Sequence, residues 1–109
     1  MKKYFALYLV PPAEIQKMMA HLTPEQMKEM DEKWKKWQEE HKESFVELGT
    51  ILGKTKRVTT AGVSDVKNDL TGYSIIQAES HEAAAQLFAD QPHLSMPGAS
   101  VEVMEMKDM

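Results

Sequence analysis

The sequence predicts an α+β fold of ferredoxin-like order, with a four-stranded antiparallel sheet and helices on one face. Three observations lead to this prediction. A short apolar run near the N-terminus alternates between two faces, as a strand does, and a long amphipathic segment repeats at steps of three and four residues, as a helix does. Turn residues divide the remainder into two strands, a helix and a last strand, which gives the order of a split β-α-β unit.

The boundaries of the elements follow from alternation, capping residues and turn residues. Strands are predicted at residues 4–9, 51–60, 72–78 and 100–106. Helices are predicted at residues 13–20, 24–48 and 80–90, the last of them capped by Ser80. Polar loops are predicted at residues 61–71 and 91–99, and the first of these is expected to form the tip of a hairpin.

The longest predicted helix has clear signals at both ends. Thr23 and Gln26 can form a capping box, with Pro24 at the first helical position. Gly49 is the expected left-handed terminator, so the helix is predicted to reach Leu48. Its apolar stripe consists of Met27, Met30, Trp34, Trp37, His41, Phe45 and Leu48.

Both faces of the first strand are apolar. Its residues alternate between the sets Phe5, Leu7, Leu9 and Tyr4, Ala6, Tyr8. Because helices cover only one face of a ferredoxin-like sheet, the other face would leave an exposed apolar patch. We therefore predict a homodimer that packs face to face, with an apolar pocket between sheet and helix or at the seam.

Composition limits the classes of protein to which the chain can belong. Its 109 residues fit a single domain, predicted to span 1–109. A net charge of −4 without a basic stripe argues against a nucleic-acid partner. The absence of cysteine excludes disulfides and thiolate zinc sites and suits a cytoplasmic location. No metal site or cofactor is predicted, because neither ligand spacings nor a glycine-rich phosphate loop occur.

No membrane partner is predicted either. The opening Met1-Lys2-Lys3 and the apolar run after it imitate a signal peptide, but Pro11, Pro12 and Glu14 follow without a small-residue cleavage site. No segment approaches the ~20 apolar residues that a membrane-spanning helix needs.

Several segments resemble the YCII-related domain family. They are Gly-Tyr-Ser-Ile-Ile-Gln-Ala-Glu-Ser-His-Glu-Ala-Ala-Ala at 72–85, Pro-His-Leu at 92–94, Ser-Val-Glu-Val-Met-Glu at 100–105, the opening strand and Glu-Leu-Gly-Thr-Ile-Leu-Gly at 47–53. The resemblance covers nearly the whole chain. It implies a dimeric α+β barrel, and it implies little about activity, since only a minority of members resemble small lyases or dechlorinases of hydroxylated aromatics.

The resemblance also implies positions for a catalytic pair. Compact members of the family place a helix histidine and a nearby aspartate as a proposed acid–base pair. Counting back from the shared glycine, here Gly49, the histidine position falls on Gln38 and the aspartate position on Glu47. An acidic residue, Glu47, thus stands at the aspartate position, whereas no histidine stands at the histidine position. A shift of the alignment by one helical turn would bring His41 to the histidine position.

His93 and His41 are the candidate acid–base residues suggested by the sequence itself. His93 lies in the loop before the last strand, near the end of the first strand around Tyr8; alternatively it caps neighbouring carbonyls. His41 lies on the stripe of the long helix; alternatively it is a histidine at the core edge, satisfied by a carbonyl or water. The two are expected to lie apart within one chain, because the helix runs away from the His93 end of the sheet.

Four further residues are candidate ligand-binding residues. Tyr8, Trp37 and Gln38 would line an apolar pocket, although a tryptophan on a helix stripe is also typical of a core. Arg57 could hold an anionic ligand or, alternatively, protect an edge strand by its charge.

The sequence leaves the function open between two classes. The first is a small-molecule-binding homodimer with lyase-type activity that needs no cofactor, in which His93 or His41 acts as acid or base and Arg57 holds an anion. The second is a non-catalytic ligand sensor or a structural dimerisation module. An enzyme requires a polar group with a shifted pKa inside an otherwise apolar pocket.

Overall fold

The computed structural model describes residues 1–107 and shows an α+β fold, so the predicted domain of 1–109 ends two residues outside the described part. The helices are α1 (Pro12–His21), α2 (Pro24–Glu40) and α3 (His81–Leu87), with 3-10 turns at Lys42–Ser44 and Pro92–Ser95. The strands are β1 (Lys2–Leu9), β2 (Phe45–Glu47), β3 (Thr55–Thr59), β4 (Gly62–Val66), β5 (Leu70–Ala78) and β6 (Ser100–Glu105).

Four of the strands form one antiparallel sheet in the order β2-β5-β1-β6. The predicted four-stranded antiparallel sheet is therefore confirmed. Its central strand, β1, pairs with β5 through Tyr4 and Ile76 and with β6 through Tyr8 and Val101. This register aligns Tyr4, Ala6 and Tyr8 with the even-numbered residues of β5 on one face of the sheet.

The helices α2 and α3 cover that face and close the core. Trp37 of α2 and Ala84 of α3 are buried there, together with Phe88 just beyond the end of α3. Each helix begins at a side-chain cap: Thr23 and Gln26 form the predicted capping box of α2, and Ser80 accepts a hydrogen bond from the backbone of Ala83. The caps fix where each helix starts, and the stripe of each helix fixes which side faces the sheet.

The opposite face of the sheet has no cover within the described residues. Phe5 lies between Ile75 on one neighbouring strand and Met104 on the other, and Leu7 lies between Tyr73 and Glu102. We call this surface the open face; its apolar members are Phe5, Leu7, Leu9, Tyr73, Ile75 and Met104.

The predicted helix over residues 24–48 is wrong at its C-terminal end. It stops at Glu40, His41 is its C-cap, and the chain then passes through a 3-10 turn into β2. Phe45 still faces the core, because its strand position is opposite Ile76. The apolar pattern was therefore compatible with either element, and pairing with β5 decided the outcome. Gly49 does adopt a left-handed conformation, at φ +79°, but in the turn after β2.

The predicted strand at 51–60 and loop at 61–71 are also wrong in detail. Ile51 forms a single bridge to Gly72, and the chain then leaves the sheet as the separate hairpin β3–β4. The turn is shorter than expected, since Thr59 pairs with Gly62 across only two residues. Because this segment is rich in turn residues, a loop was predicted where the structure has β4.

In the described part of the chain, no helix is both long enough and apolar enough to cross a membrane.

The close packing of Gly49 against β5 gives a test of this chain path. A Cβ at Gly49 would collide with the backbone carbonyl of Tyr73, in a backbone conformation that is already strained for other residues. We expect Gly49→Ala to lower the free energy of unfolding by about 3 kcal/mol or more in urea titrations.

Two other glycines serve as controls for that variant. A Cβ at Gly53 would meet nothing, so Gly53→Ala should change the free energy of unfolding by less than ~1 kcal/mol. Gly62 has open space but φ +130°, so Gly62→Ala should fall between the two. Equal effects of the substitutions at positions 49 and 53 would contradict the turn after β2.

Candidate functional site

A chain of aromatic and imidazole rings fills the space between α2 and the sheet. The ring of His93 lies 6.4 Å from that of Trp34, Trp34 lies 6.2 Å from Trp37, and Trp37 lies 5.1 Å from His41, measured between centroids. Tyr8 packs edge-on against Trp34 at 5.6 Å. The structure therefore brings Tyr8, Trp37, His41 and His93 into one buried ring cluster.

The two candidate histidines sit at opposite ends of this cluster. The expectation that α2 starts at the His93 end of the sheet is not what is found, because His93 meets the helix at Trp34, well inside it. Two tryptophan rings intervene between His93 and His41. The candidate histidines are thus linked by packing and make no direct contact through which a proton could pass.

The ring of His93 joins the last loop to two strands. Its Nε2 lies 2.8 Å from the Leu9 carbonyl and 3.1 Å from the Ser100 carbonyl, and the residue is 2% exposed. Since a carbonyl oxygen only accepts, Nε2 carries the proton and donates to both. This geometry matches the carbonyl-capping alternative. A catalytic role for His93 stays a prediction, and it would have to use Nδ1.

His41 is the less constrained of the two histidines. Its Nε2 is buried, has no hydrogen-bond partner among the described residues and lies 4.0 Å from Oδ1 of Asp90. The same Oδ1 accepts a hydrogen bond of 3.2 Å from the indole of Trp37. The carboxylate of Asp90 thus lies close to both the indole nitrogen of Trp37 and the imidazole of His41.

A short hydrogen-bond chain starts at the buried hydroxyl of Tyr8. Ser74 Oγ donates to the Leu48 carbonyl at 2.6 Å, so Tyr8 donates to Ser74 Oγ, also at 2.6 Å. Burial raises the pKa of the Tyr8 hydroxyl above its usual value, and its polar neighbours Ser74 and Gln91 oppose the rise. The hydroxyl therefore stays neutral and serves as a donor rather than as a base.

Gln91 is the polar residue that the sequence reasoning missed. It is 2% exposed, and neither its amide nitrogen nor its amide oxygen has a partner among residues 1–107. The amide lies beside the Tyr8 hydroxyl without a hydrogen bond of good geometry. A single sequence gives no signal for it, because a glutamine before Pro92 in a loop reads as exposed. The hydrogen-bonding position of Ser74 likewise depends on long-range pairing, since Ser74 lies opposite Ala6 of β1.

Gln38 lines a separate concavity, which we call the edge groove. It has a volume of about 380 Å³ and lies between the C-terminal half of α2 and the outer strand β2. Its lining includes both apolar and polar side chains. The lining residues are Lys35, Gln38, Glu39, Lys42, Phe45, Val46 and Leu48.

Glu47 is not part of the edge groove. It follows Val46 on β2 but points to the open face, where its carboxylate accepts a hydrogen bond of 2.8 Å from the Tyr73 hydroxyl. That hydrogen bond raises the pKa of the exposed Tyr73. The structure thus places Gln38 and Glu47, the two positions implied by the family pair, on different surfaces.

Arg57 lies apart from all of these residues. It is exposed in β3, on the hairpin that stands outside the main sheet. A second groove of about 200 Å³ lies at the base of the hairpin beside α1, and Arg57 does not line it. An anion bound by Arg57 would therefore not reach the buried ring cluster of the same chain.

Within residues 1–107, no three histidine, aspartate or glutamate side chains are grouped to hold a metal ion. No protein-family model matches the chain, and the search of curated proteins finds no match.

The buried hydroxyl of Tyr8 gives a pH-dependent prediction. Folding favours its neutral form, so this contribution to stability is complete below the ordinary pKa of 10.0 and is lost as the pH rises through the higher native pKa. We expect Tyr8→Phe to lose less unfolding free energy than wild type between about pH 9 and about pH 11 in urea titrations. At the lower pH the variant should be destabilised by about 1 kcal/mol through the lost hydrogen bond.

Tyr73→Phe is the matched control for that measurement. Its pKa is also raised, mainly by the hydrogen bond to Glu47. At a protein concentration low enough for the chain to be monomeric, water screens this interaction, so the alkaline slope should stay close to that of wild type. A Tyr8→Phe slope identical to that of wild type would show that the hydroxyl is not buried as described.

Proposed function

We propose that this chain is a small-molecule-binding protein that acts as a homodimer and takes its ligand in the edge groove. The groove itself is the observation that supports this proposal. Its volume of about 380 Å³ falls in the range of ligand sites, and its lining combines apolar side chains with a few polar groups.

The lining indicates the chemistry of the ligand. Phe45, Val46 and Leu48 offer apolar side chains, while Lys35 and Lys42 offer cations. Within residues 1–107, each lysine forms one exposed ion pair: Lys35 of α2 with Asp31 at 3.0 Å, and Lys42 of the following 3-10 turn with Glu39 at 3.2 Å. Because such pairs contribute little, both lysines are free to bind a ligand anion. An aromatic carboxylate fits this set of groups.

The strand order supports the ferredoxin-like and YCII-related parts of the proposal. Counting only the strands of the main sheet along the chain, the observed order is second, third, first, fourth, which is the arrangement expected of a split β-α-β fold. The resemblance of residues 72–85 and 92–94 to the YCII-related domain family falls on β5, on the start of α3 and on the His93 turn. A cytoplasmic location is part of the same proposal.

The open face supports the homodimer. Its apolar side chains span three adjacent strands, and a contiguous apolar surface of that kind is typical of an interaction site. A second copy offers the same surface, so packing the two faces together buries both at once in an isologous contact. The result would be the dimeric α+β barrel that the resemblance implies.

A lyase without cofactor is the second candidate function, and one observation favours it. The Nε2 of His41 is unpartnered beside Asp90, and the next residue along the chain, Lys42, lines the edge groove. A histidine beside a carboxylate is a residue pair that general acid–base catalysis uses. Turnover of a bound ligand separates the two functions: a sensor would bind it unchanged, whereas a lyase would convert it at a rate that His41→Gln lowers without changing affinity.

The edge groove predicts a ligand response that can be measured by thermal shift. The screen should use hydroxybenzoates, phenylacetates and related aromatic carboxylates. A ligand at 100 times its dissociation constant adds ~2.7 kcal/mol to stability, which is readily seen in the melting temperature. We expect Lys42→Gln to reduce that shift and Val46→Glu to abolish it.

Lys17→Gln is the control, because Lys17 is an exposed lysine that pairs with Glu14 three residues away, just as Lys42 pairs with Glu39. A shift that survives Val46→Glu, or one that Lys17→Gln reduces as much as Lys42→Gln does, would place the ligand elsewhere.

The open face predicts that a charge at its centre prevents association. Ile75 lies opposite Phe5 in the middle of that surface. We expect Ile75→Glu to elute as a monomer in chromatography with light scattering, while wild type at micromolar concentration shows twice the monomer mass. Met19→Glu, on exposed α1, should remain a dimer. A monomeric wild type would remove the dimer from the proposal.

A further inference from the structure

The hairpin β3–β4 extends outside the compact body of the chain. We call residues 54–67 the arm. Its two strands pair with each other and make no comparably extensive contact with another described element. The radius of gyration is 15.5 Å, against about 13 Å for a compact chain of this length. An isolated two-stranded hairpin is marginally stable in water, so we expect contact with a partner to stabilise the arm.

The arm also carries an exposed apolar pair. Val58 and Val63 face each other across the hairpin and are 75% and 64% exposed. Lys56 and Asp65 form an ion pair of 2.7 Å on the same side. Alternation puts Arg57 on the opposite side, where it forms no ion pair within residues 1–107. Each side of the arm therefore presents a cation to a docking surface, Arg57 on one side and Lys56 on the other. The side of Lys56 also presents the two valines.

The charge of the arm differs in sign from that of the whole chain. The net charge of the chain is −4, yet the arm has one acidic residue, Asp65, against four basic ones. Its basic residues are Lys54, Lys56, Arg57 and Lys67. A basic segment on an acidic protein is attracted to the acidic part of another copy.

The acidic part includes the outer strand β6, which forms the opposite lateral edge of the sheet from β2. Residues 79–105, which hold α3 and the outer strand β6, contain no lysine or arginine. We call this region the acidic edge; its acidic residues are Glu79, Glu82, Asp90, Glu102 and Glu105. Glu102 lies on the open face opposite Leu7 and forms no ion pair within residues 1–107, while Glu105 is 3.8 Å from Lys107.

Face-to-face packing brings the two regions together. When two sheets pack with their strands nearly perpendicular, the strand ends of one sheet lie over an outer strand of the other. The arm continues from the end of the sheet where Leu70 begins β5 and Ile51 bridges to Gly72, so it would extend past an outer strand of the partner. Of the two outer strands, β6 belongs to the acidic edge, whereas β2 borders the two lysines of the edge groove.

We propose that the arm of one copy docks on the acidic edge of a second copy, so that the dimer is held by two reciprocal arm contacts in addition to the open face. This inference rests on the homodimer of the proposed function and adds a second, electrostatic contact to it. Two-fold symmetry repeats the contact, since each copy supplies one arm and one acidic edge.

A charge-reversal cycle on the full chain tests the contact. The arm variant is Lys56→Glu with Arg57→Glu, and the edge variant is Glu102→Lys with Glu105→Lys. All four side chains are exposed, so circular dichroism and melting should show that every variant folds. At low ionic strength we expect each variant to weaken the dimer about tenfold in sedimentation equilibrium, and the combined variant to return to within about threefold of wild type.

A third variant controls for overall charge. Lys33→Glu with Lys36→Glu changes the net charge as much as the arm variant does, at exposed positions of α2. It should leave the dimerisation constant within about threefold of wild type, and added salt should remove the difference between the arm variant and wild type.

The outcomes separate the arm from the open face. Arm and edge variants that dimerise as wild type does, with Ile75→Glu still monomeric, would overturn the arm contact and leave the open-face dimer intact; the arm would then bind some other molecule. Weakening without recovery in the combined variant would also overturn it. A wild type that is monomeric at micromolar concentration would overturn both proposals together.

Discussion

The central strand β1 is the element on which the rest of the structure depends. It pairs along its length with β5 on one side and with β6 on the other, so both of its backbone edges are satisfied within the sheet. Its alternation then sends Tyr4, Ala6 and Tyr8 under the helices and Phe5 and Leu7 to the open face. From Tyr4 to Leu9 every residue of β1 is apolar, so both faces of the strand carry apolar side chains.

On the helix-covered face, the alternation of β1 also places polar groups in the core. Tyr8 extends beneath Trp34, and its buried hydroxyl donates a hydrogen bond to Ser74 Oγ, which in turn donates one to the Leu48 carbonyl. His93 closes the same end by bridging two strands. These bonds satisfy the buried polar groups of Tyr8, Ser74 and His93, whereas the amide of Gln91 and Nε2 of His41 have no hydrogen-bond partner among the described residues.

On the open face, the same alternation of β1 leaves apolar side chains that association with a second copy would cover. The open face and the arm are both left without cover by the rest of residues 1–107. A face of the sheet can be covered by a flat partner, whereas a projecting hairpin needs a partner with an edge to lie against. A second copy offers both, together with opposite charge, and this is why we assign the two contacts to one dimer.

The sequence by itself determined the class of fold, the caps of α2 and α3, and the two apolar faces of β1, because these depend on periodicity and on contacts a few residues apart. It predicted helix as far as Leu48, where Phe45 instead joins a strand, and it hid β4 in a loop. Only the tertiary structure decided these points, since a stripe that repeats every three or four residues can end in either element until a neighbouring strand pairs with it. The same reason separates the candidate residues: Tyr8, Trp37, His41 and His93 meet through long-range packing, while Gln38, Glu47 and Arg57 lie on three other surfaces.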